Sequence, residues 1–332
     1  MAVKCEQAIF TSIRTLTGEG YRIIAASPGL NPDERTEITR RSPSHNSLCS
    51  PSSHAVGILN CRLDSGRYCI GYSRCAGAEQ TARGGARVYT NLAVLCEDGF
   101  RRFEGNPVRA AAVLAREAGK SIMLKPQPRL DPLELDPDAI PHMDLEHDPT
   151  PCFGTSDDAY WLTKVLRPLL YGRSVLIVGA SAPFEMLEWT LKALPLPIRI
   201  GISVSVGLRW ASTRDIRLCF VDHAGIETRR AISGQGVEWL EVKSRPDDRQ
   251  PEPQTDYCAM IGRWWRDRRF RDIVTLTGLI EEPASPNDLD HLAPLCDRQK
   301  QLVAAGHVDR DQLDADTLAW LNRTVAAFSR RT

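Results

Sequence analysis

The chain has 332 residues, 42% of them hydrophobic and 25% charged, which are ordinary values for a globular protein of two or three domains. Its 42 basic residues balance its 42 acidic residues, so bulk charge argues against a nucleic-acid or membrane-surface role. Because the sequence has no run of 18 apolar residues, we expect no membrane span.

The cysteines and the N-terminal sequence both predict a cytosolic protein. The ten cysteines are scattered through a long chain, and several lie within apolar runs, as reduced and buried thiols do. The sequence MAVKCEQAIF lacks the charged lead, apolar core and cleavage site of a secretory signal.

The first block, residues 1–125, predicts an α+β domain. Residues 6–30 have the pattern of a strand, a Gly turn and a second strand, which ends at Ser27-Pro28-Gly29. A helix is predicted over residues 107–118, with Asn106 as its N-cap and Pro107 in its first turn. Further strands outnumber the helices and predict a mixed or antiparallel sheet: residues 55–62, 66–72 and 86–96.

A proline-rich linker is predicted over residues 126–156, because dense proline disfavours both helices and sheet ladders. The second block, residues 157–243, predicts an α/β sandwich. Its expected elements, in chain order, are a helix from 157, a strand over 174–179, a helix over 183–194, a strand over 198–208, an antiparallel partner strand over 215–222 and a short edge element within 231–242.

Beyond a second polar linker, residues 244–255, the chain predicts a helical C-terminal region over 256–332. Its helices are expected at 256–281, 286–305 and 311–329.

Two phosphate-binding patterns do not satisfy their motifs. Gly119-Lys120-Ser121 lacks the earlier glycine of a phosphate loop and follows a predicted helix. Gly179-Ala180-Ser181-Ala182-Pro183 joins a strand to a helix, where backbone N–H groups often hold anions. It has one glycine where a dinucleotide fingerprint has three, so an anion site and a plain turn are both open. No cofactor is predicted.

A loop rich in Ser and Pro contains His45, Cys49 and His54, residue types that bind zinc or form nucleophile pairs. The spacing disfavours zinc, since the chain has no C-x-x-C. A polar loop with a buried thiol is the alternative.

Aromatic and basic residues alternate in the segment WWRDRRFR, residues 264–271. On a helix we expect Trp264 and Trp265 to be buried, while the arginines, Arg268 and Arg271 among them, face solvent or a partner. Three interpretations remain: ordinary packing, a partner-binding helix, or a single-strand nucleic-acid groove. The segment Arg87-x-Tyr89-Thr90-Asn91 also concentrates polar groups at the start of an apolar strand.

Three stretches resemble the bacterial GTPase-associated protein family, in its N-terminal and middle domains, over residues 5–225. They are Gln7-Ala8-Ile9-Phe10 with Gly20-Tyr21 and Ser27-Pro28-Gly29-Leu30; Arg87-Val88-Tyr89-Thr90-Asn91-Leu92 with Phe103-Glu104-Gly105-Asn106-Pro107; and Trp189-Thr190-Leu191-Lys192-Ala193-Leu194-Pro195 with Arg199 and the strand 202–207. The family typically has a His where this chain has Asn91 or Leu92.

The resemblance implies an adaptor or regulator in a multi-gene system built around a small GTPase. The order of elements in the second block is also similar to the longin-like part of exchange-factor domains. We therefore expect a non-enzymatic interaction protein with a protein partner, no membrane association and no nucleic acid. The candidate contact residues are Ser27, Gly29, Arg87, Tyr89, Asn91, Gly179, Ser181, Trp264, Arg268 and Arg271. A hydrolase or transferase that uses His45, Cys49 or His54 is the alternative.

Overall fold

The computed structural model of the chain describes residues 2–15, 18–50, 52, 54–79, 85–119, 122, 129–141, 158–242, 256–281 and 283–304. Within these ranges, ten strands form one mixed sheet and ten α-helices accompany it. Several predictions lie outside the described residues: the helix over 311–329, the linker 244–255, most of the linker 126–156, and Lys120 and Ser121 of the rejected phosphate loop.

The strands of the first half are antiparallel and confirm the predicted mixed or antiparallel sheet. Their spatial order is β3-β4-β5-β1-β2. The strand bounds are β1 Val3–Thr15, β2 Gly18–Ala26, β3 Val56–Arg62, β4 Tyr68–Ala78 and β5 Ala86–Leu95.

Three helices lie beside these strands: α1 Pro32–Arg41, α2 Glu97–Arg102 and α3 Pro107–Glu117. The predicted cap of α3 is present, because the Asn106 side chain accepts hydrogen bonds from the N–H groups of Val108 and Arg109. Helix α2 was not predicted. Its N-cap is Cys96, whose sulfur accepts from the N–H of Gly99, and cysteine is not a usual cap residue.

The prediction that residues 126–156 form no sheet ladder was wrong at one place. The strand β6, Leu133–Leu135, pairs antiparallel with Val3–Cys5 of β1. Proline cannot donate to a ladder, but this strand starts directly after Pro132 and contains none itself.

The second half contains four parallel strands in the order β10-β7-β9-β8. Its elements are α4 Asp158–Leu170, β7 Ser174–Val178, α5 Pro183–Lys192, α6 Leu196–Ile200, β8 Val204–Val206, β9 Leu218–Val221, α7 Ile226–Ile232 and β10 Val237–Glu241. The edge element expected within 231–242 is therefore β10.

Two expectations for the second half were wrong. Residues 198–208 were predicted as one strand, but their first part belongs to α6, and only Val204–Val206 are extended. Strands β8 and β9 are parallel, not antiparallel. The 11-residue connection between them includes a 3-10 turn, Ser212–Arg214, and returns the chain to the same end of the sheet.

Three C-terminal helices cover one face of the second half: α8 Asp256–Arg266, α9 Phe270–Leu279 and α10 Pro286–Ala304. The Tyr257 hydroxyl donates to the carbonyl of Ala193 at 2.8 Å, and the Thr277 hydroxyl donates to that of Lys192 at 2.8 Å. The indole rings of Trp189 and Trp265 meet edge to face, with centroids 5.1 Å apart. An aromatic pair in this geometry stabilises a contact by about 0.5–1.5 kcal/mol beyond the effect of the area that it buries.

The two halves share the sheet through the antiparallel pairing of β3 with β8. Ile58 lies opposite Val206, and the buried Asn60 side chain donates to the carbonyl of Ile202 at 3.1 Å. Two glycines, Gly57 and Gly207, lie at the end of this pairing, where a Cβ on either would overlap the opposite chain. The predicted division into separate domains at about residues 125 and 157 stays a prediction, and the sheet continues across it.

A polar network joins the halves a second time, between the α2–α3 corner and helices α5 and α6. Glu104 forms a salt bridge with Lys192 at 3.2 Å, and its backbone carbonyl accepts from Arg199 at 2.8 Å. The Asn106 amide donates to Glu188 at 2.7 Å. The second and third stretches that carry the family resemblance therefore contact each other.

Among the described residues, no helix is both long enough and apolar enough to cross a membrane.

Substituting Gly207→Ala should strongly destabilise the fold, because the new Cβ would overlap the backbone carbonyl of Val56 across the sheet. Gly207 also has a φ of +68°, which costs an alanine about 1–2 kcal/mol. The matched control is Gly172→Ala, with a φ of +76° and open space around it. In denaturant unfolding, we expect Gly207→Ala to lower the free energy of unfolding by about 1–3 kcal/mol more than the control does. Equal losses would contradict a close approach at this junction.

Substituting Glu188→Gln should stabilise the protein at neutral pH. Burial raises the pKa of the Glu188 carboxyl, against the lowering effect of its hydrogen bond from Asn106 and the charges of Lys192 and Arg109. A raised native pKa means that the stabilising contribution is present at low pH and is lost as the pH rises through the native pKa. The variant keeps the acceptor for Asn106 without the buried charge.

The gain of Glu188→Gln in free energy of unfolding should therefore be present at pH 7 and vanish near pH 3, where the carboxyl is protonated in both states. Glu117→Gln, at an exposed site, is the control and should show no such trend. A loss of stability at pH 7 for Glu188→Gln would show that the carboxylate is net favourable there.

Candidate functional site

The predicted contact residues of β5 lie buried inside the sheet. Arg87, Tyr89 and Asn91 are 3%, 1% and 5% exposed, and strand alternation places them on one face. The Arg74 guanidinium lies over the Tyr89 ring, 5.4 Å from its centroid. A partner could not reach these side chains without opening the sheet.

Strands β1 and β5 separate beyond the Thr11–Tyr89 pair, and side chains continue the connection there. The Tyr21 hydroxyl accepts from the N–H of Val88 at 2.9 Å, while the Thr11 hydroxyl donates to the Val88 carbonyl at 2.9 Å. Burial, together with the nearby Glu79 carboxylate, raises the pKa of the Tyr21 phenol. Because the phenol stays neutral, its oxygen accepts from Val88 and its proton remains available to the Glu79 carboxylate.

A cavity of about 420 Å³ opens beside Tyr21, where the two halves meet; we call it the junction cavity. It lies between the loop 42–47, which follows α1, and the loop 209–214, which precedes β9. Its lining is Phe10, Tyr21, Thr39, Arg40, Ser42, Ser44, His45, Asn46, Ser47, Arg209, Trp210, Ala211, Thr213 and Arg214. Its volume is within the range of small-molecule sites.

Hydrogen bonds between the two loops hold the shape of the cavity. Ser47 receives two of them: its carbonyl accepts from the N–H of Arg209 at 2.7 Å, and its hydroxyl accepts from Arg214 at 2.8 Å. Cys49 donates its N–H to the carbonyl of Gly207 at 3.0 Å, and Leu48 forms a bridge with Leu208. The cavity is therefore built from both halves of the sheet, and neither half alone contains it.

The structure separates the three metal or nucleophile candidates. His45 lines the junction cavity, Cys49 is half-buried beside it, and His54 is exposed to solvent. Burial raises the pKa of the Cys49 thiol, so this thiol is not activated as a nucleophile. Across the described part of the chain, no group of three or more His, Cys, Asp or Glu residues is arranged to hold a metal ion.

The Ser27–Leu30 segment forms a closed turn at the end of β2. The Ser27 hydroxyl accepts a hydrogen bond from the N–H of Gln7 and donates one to the Gln7 carbonyl. The backbone carbonyl of Ser27 accepts from the Arg35 guanidinium at 3.3 Å. The N–H of Gly29 donates to the Glu6 carboxylate at 3.2 Å. These polar groups satisfy one another locally, which is typical of a structural turn.

The turn after β7 is open to solvent. Gly179 has a φ of +78°, and its N–H donates to the carbonyl of Val221 at 3.0 Å. Ser181 is exposed, and α5 starts without a side-chain cap. Both the anion-site and the plain-turn interpretations of this segment stay predictions.

The predicted division of residues 264–271 into a buried and an exposed side is confirmed. Trp264 and Trp265 are 2% and 6% exposed, and Arg269 lies over the Trp264 ring. Arg268 and Arg271 are exposed, and a φ of +56° at Arg268 marks the tight turn between α8 and α9. A partner would therefore contact the arginines of this segment and not Trp264.

Sequence reasoning missed the junction cavity, because its residues come from four distant segments. Tyr21, His45 and Arg214 are not part of a shared motif, and a single arginine within a 3-10 turn carries no local signal. Only the sequence pair Gly20-Tyr21 and the His45 loop pointed toward this region.

These features define an α/β protein in which an antiparallel and a parallel half share one sheet and enclose a polar cavity. Within the first half, residues 4–133 match the family described as GTPase-associated protein 1, N-terminal domain type 2. A comparison of the chain with curated proteins finds no match.

Substituting Tyr21→Phe should destabilise the protein by about 1–3 kcal/mol, because the buried N–H of Val88 would lose its acceptor. The control is Tyr171→Phe, at a tyrosine that is 49% exposed and should change stability by less than about 0.5 kcal/mol. Chemical denaturation measures both. Equal effects would show that water or another group replaces the hydroxyl at Val88.

Proposed function

We propose that this chain is a non-enzymatic adaptor or regulatory component of a bacterial GTPase-associated multiprotein system, acting in the cytosol beside a small GTPase. The observation that carries the proposal is the match of residues 4–133 to a GTPase-associated domain family. The buried polar residues of β5 also favour a structural role for that strand over a catalytic one.

An exposed arginine cluster offers a surface for a partner. We call it the arginine face: Arg263, Arg266, Arg268 and Arg271 of α8, α9 and the turn between them. The opposite side of this segment is fixed to the core by Trp265 and Phe270, which pack on Trp189. Because the backbone is held rigidly, little conformational entropy is lost when a partner binds. The charge favours a partner with an acidic surface.

The longin-like comparison belongs to this proposal as an analogy of element order. The succession of α4, β7 and α5 is the part that supports it. Such an analogy concerns the fold and does not by itself assign exchange activity.

The alternative, a hydrolase or transferase that uses His45, Cys49 or His54, predicts that substituting these residues abolishes turnover without a loss of stability. The raised pKa of the Cys49 thiol does not favour it.

The test is to purify the full chain with a small GTPase encoded in the same gene cluster and to measure binding, nucleotide exchange and hydrolysis. The double substitution Arg266→Glu and Arg271→Glu should weaken binding at least about tenfold, because interface arginines are frequent hot spots. The double substitution Arg229→Glu and Arg230→Glu, at exposed arginines of α7, makes the same charge change elsewhere and is the control.

Absence of binding, together with unchanged exchange and hydrolysis, would contradict the proposed association. If the arginine face instead bound single-stranded nucleic acid, its affinity would fall steeply with salt. That result would replace the GTPase as the partner of this face.

A further inference from the structure

The junction cavity contains a buried cation for which the described residues supply no counter-ion. Arg214 is 5% exposed, and its guanidinium donates to the Arg209 carbonyl at 2.7 Å and to the Ser47 hydroxyl at 2.8 Å. Both acceptors are neutral. Burial lowers the pKa of Arg214, and the groups that oppose this effect are the thiols of Cys219 and Cys49.

Those thiols do not supply a negative charge at neutral pH. Burial raises the pKa of the Cys219 thiol to about 12 and also raises that of Cys49, so both stay protonated. A buried charge without a partner is expensive. The Arg214 guanidinium would therefore be stabilised by an anion. The described lining of the cavity contains no Asp or Glu that could supply one.

A second group in the cavity lacks a partner. The Asn46 carbonyl oxygen accepts from the N–H of Ala86 at 3.3 Å, which orients its amide nitrogen toward Nε2 of His45, 3.0 Å away. Since an amide nitrogen only donates, Nε2 accepts and the proton of the neutral ring is on Nδ1. This Nδ1 is buried and has no hydrogen-bond partner in the described part of the chain.

Two further arginines complete the positive lining. Arg40 and Arg209 are exposed at the cavity, and neither forms a salt bridge within the described ranges. Phe10 and Trp210 supply apolar surface beside them. The volume of about 420 Å³ exceeds that of a single oxyanion and leaves room for an organic group.

We infer that the junction cavity binds a phosphorylated small molecule, with its phosphate group held by Arg209, Arg214 and Nδ1–H of His45. Phosphate suits this lining because it carries up to two charges and several acceptor oxygens, which arginine recognises well. The organic part lies against Phe10 and Trp210. This site is independent of the proposed GTPase association and goes beyond it.

The experiment is calorimetric titration of the full chain with inorganic phosphate, ribose 5-phosphate and a nucleoside 5′-monophosphate, at constant ionic strength. Acetate is the carboxylate comparison. We expect at least one phosphate probe to bind and to raise the midpoint of thermal unfolding, since a ligand of the native state stabilises it. Tighter binding of an organic phosphate would support the role of Phe10 and Trp210.

Arg209→Gln should weaken phosphate binding about tenfold or more, the loss typical of a charge-assisted hydrogen bond. Because the Arg209 side chain is exposed, this variant should keep the fold, in contrast to Arg214→Gln, which removes two loop contacts. Arg230→Gln, outside the cavity, should bind like the unsubstituted chain.

Three results would overturn the inference. They are the absence of both binding heat and a thermal shift with every phosphate probe, an affinity for acetate equal to that for phosphate, or an equal loss of phosphate affinity in Arg209→Gln and Arg230→Gln. Failure here would leave the GTPase measurements unaffected, because they depend on a different face.

Discussion

The three-residue pairing of β3 with β8 is the constraint on which the rest of the architecture depends. It turns an antiparallel sheet and a parallel sheet into one, and it fixes the loops at its end close enough for Ser47 to bond Arg209 and Arg214. The tight approach works because two glycines, Gly57 and Gly207, face each other's chain there. So short a ladder contributes few hydrogen bonds. The polar contacts of Glu104 and Asn106 with α5 and α6 add a second point of attachment.

Local patterns predicted the elements well wherever one physical signal dominated. The Asn106-Pro107 start of α3 and the division of residues 264–271 into buried tryptophans and exposed arginines follow from capping and helical spacing alone. The prediction of a strand from residue 198 was wrong because a proline that ends one helix is equally suited to begin the next. There Pro195 is the N-cap of α6, and Pro197 lies in its first turn.

The orientation of β8 relative to β9, and the junction cavity itself, depend on contacts between distant segments. A four-residue apolar run such as Leu218–Val221 pairs equally well in either direction, and the choice is made by the crossover before it. The charge requirement of Arg214 appears only when the surroundings of its guanidinium are known. Its sequence neighbours include Asp215, yet its guanidinium donates to the Arg209 carbonyl and to the Ser47 hydroxyl, which are both neutral. Sequence order therefore gives a misleading account of its electrostatics.

The segment that matches the family and the sheet that contains it do not have the same boundaries. The family segment ends at residue 133, whereas the sheet to which it belongs continues through β8 to β10. Cut out at that boundary, the segment would present β3 as an open edge with its N–H and C=O groups unpaired, the arrangement by which strands recruit other chains. A segment that is complete as a family match is thus incomplete as a structure, because one edge of its sheet is uncovered. Any relative that carries the segment in another setting must supply its own cover for β3.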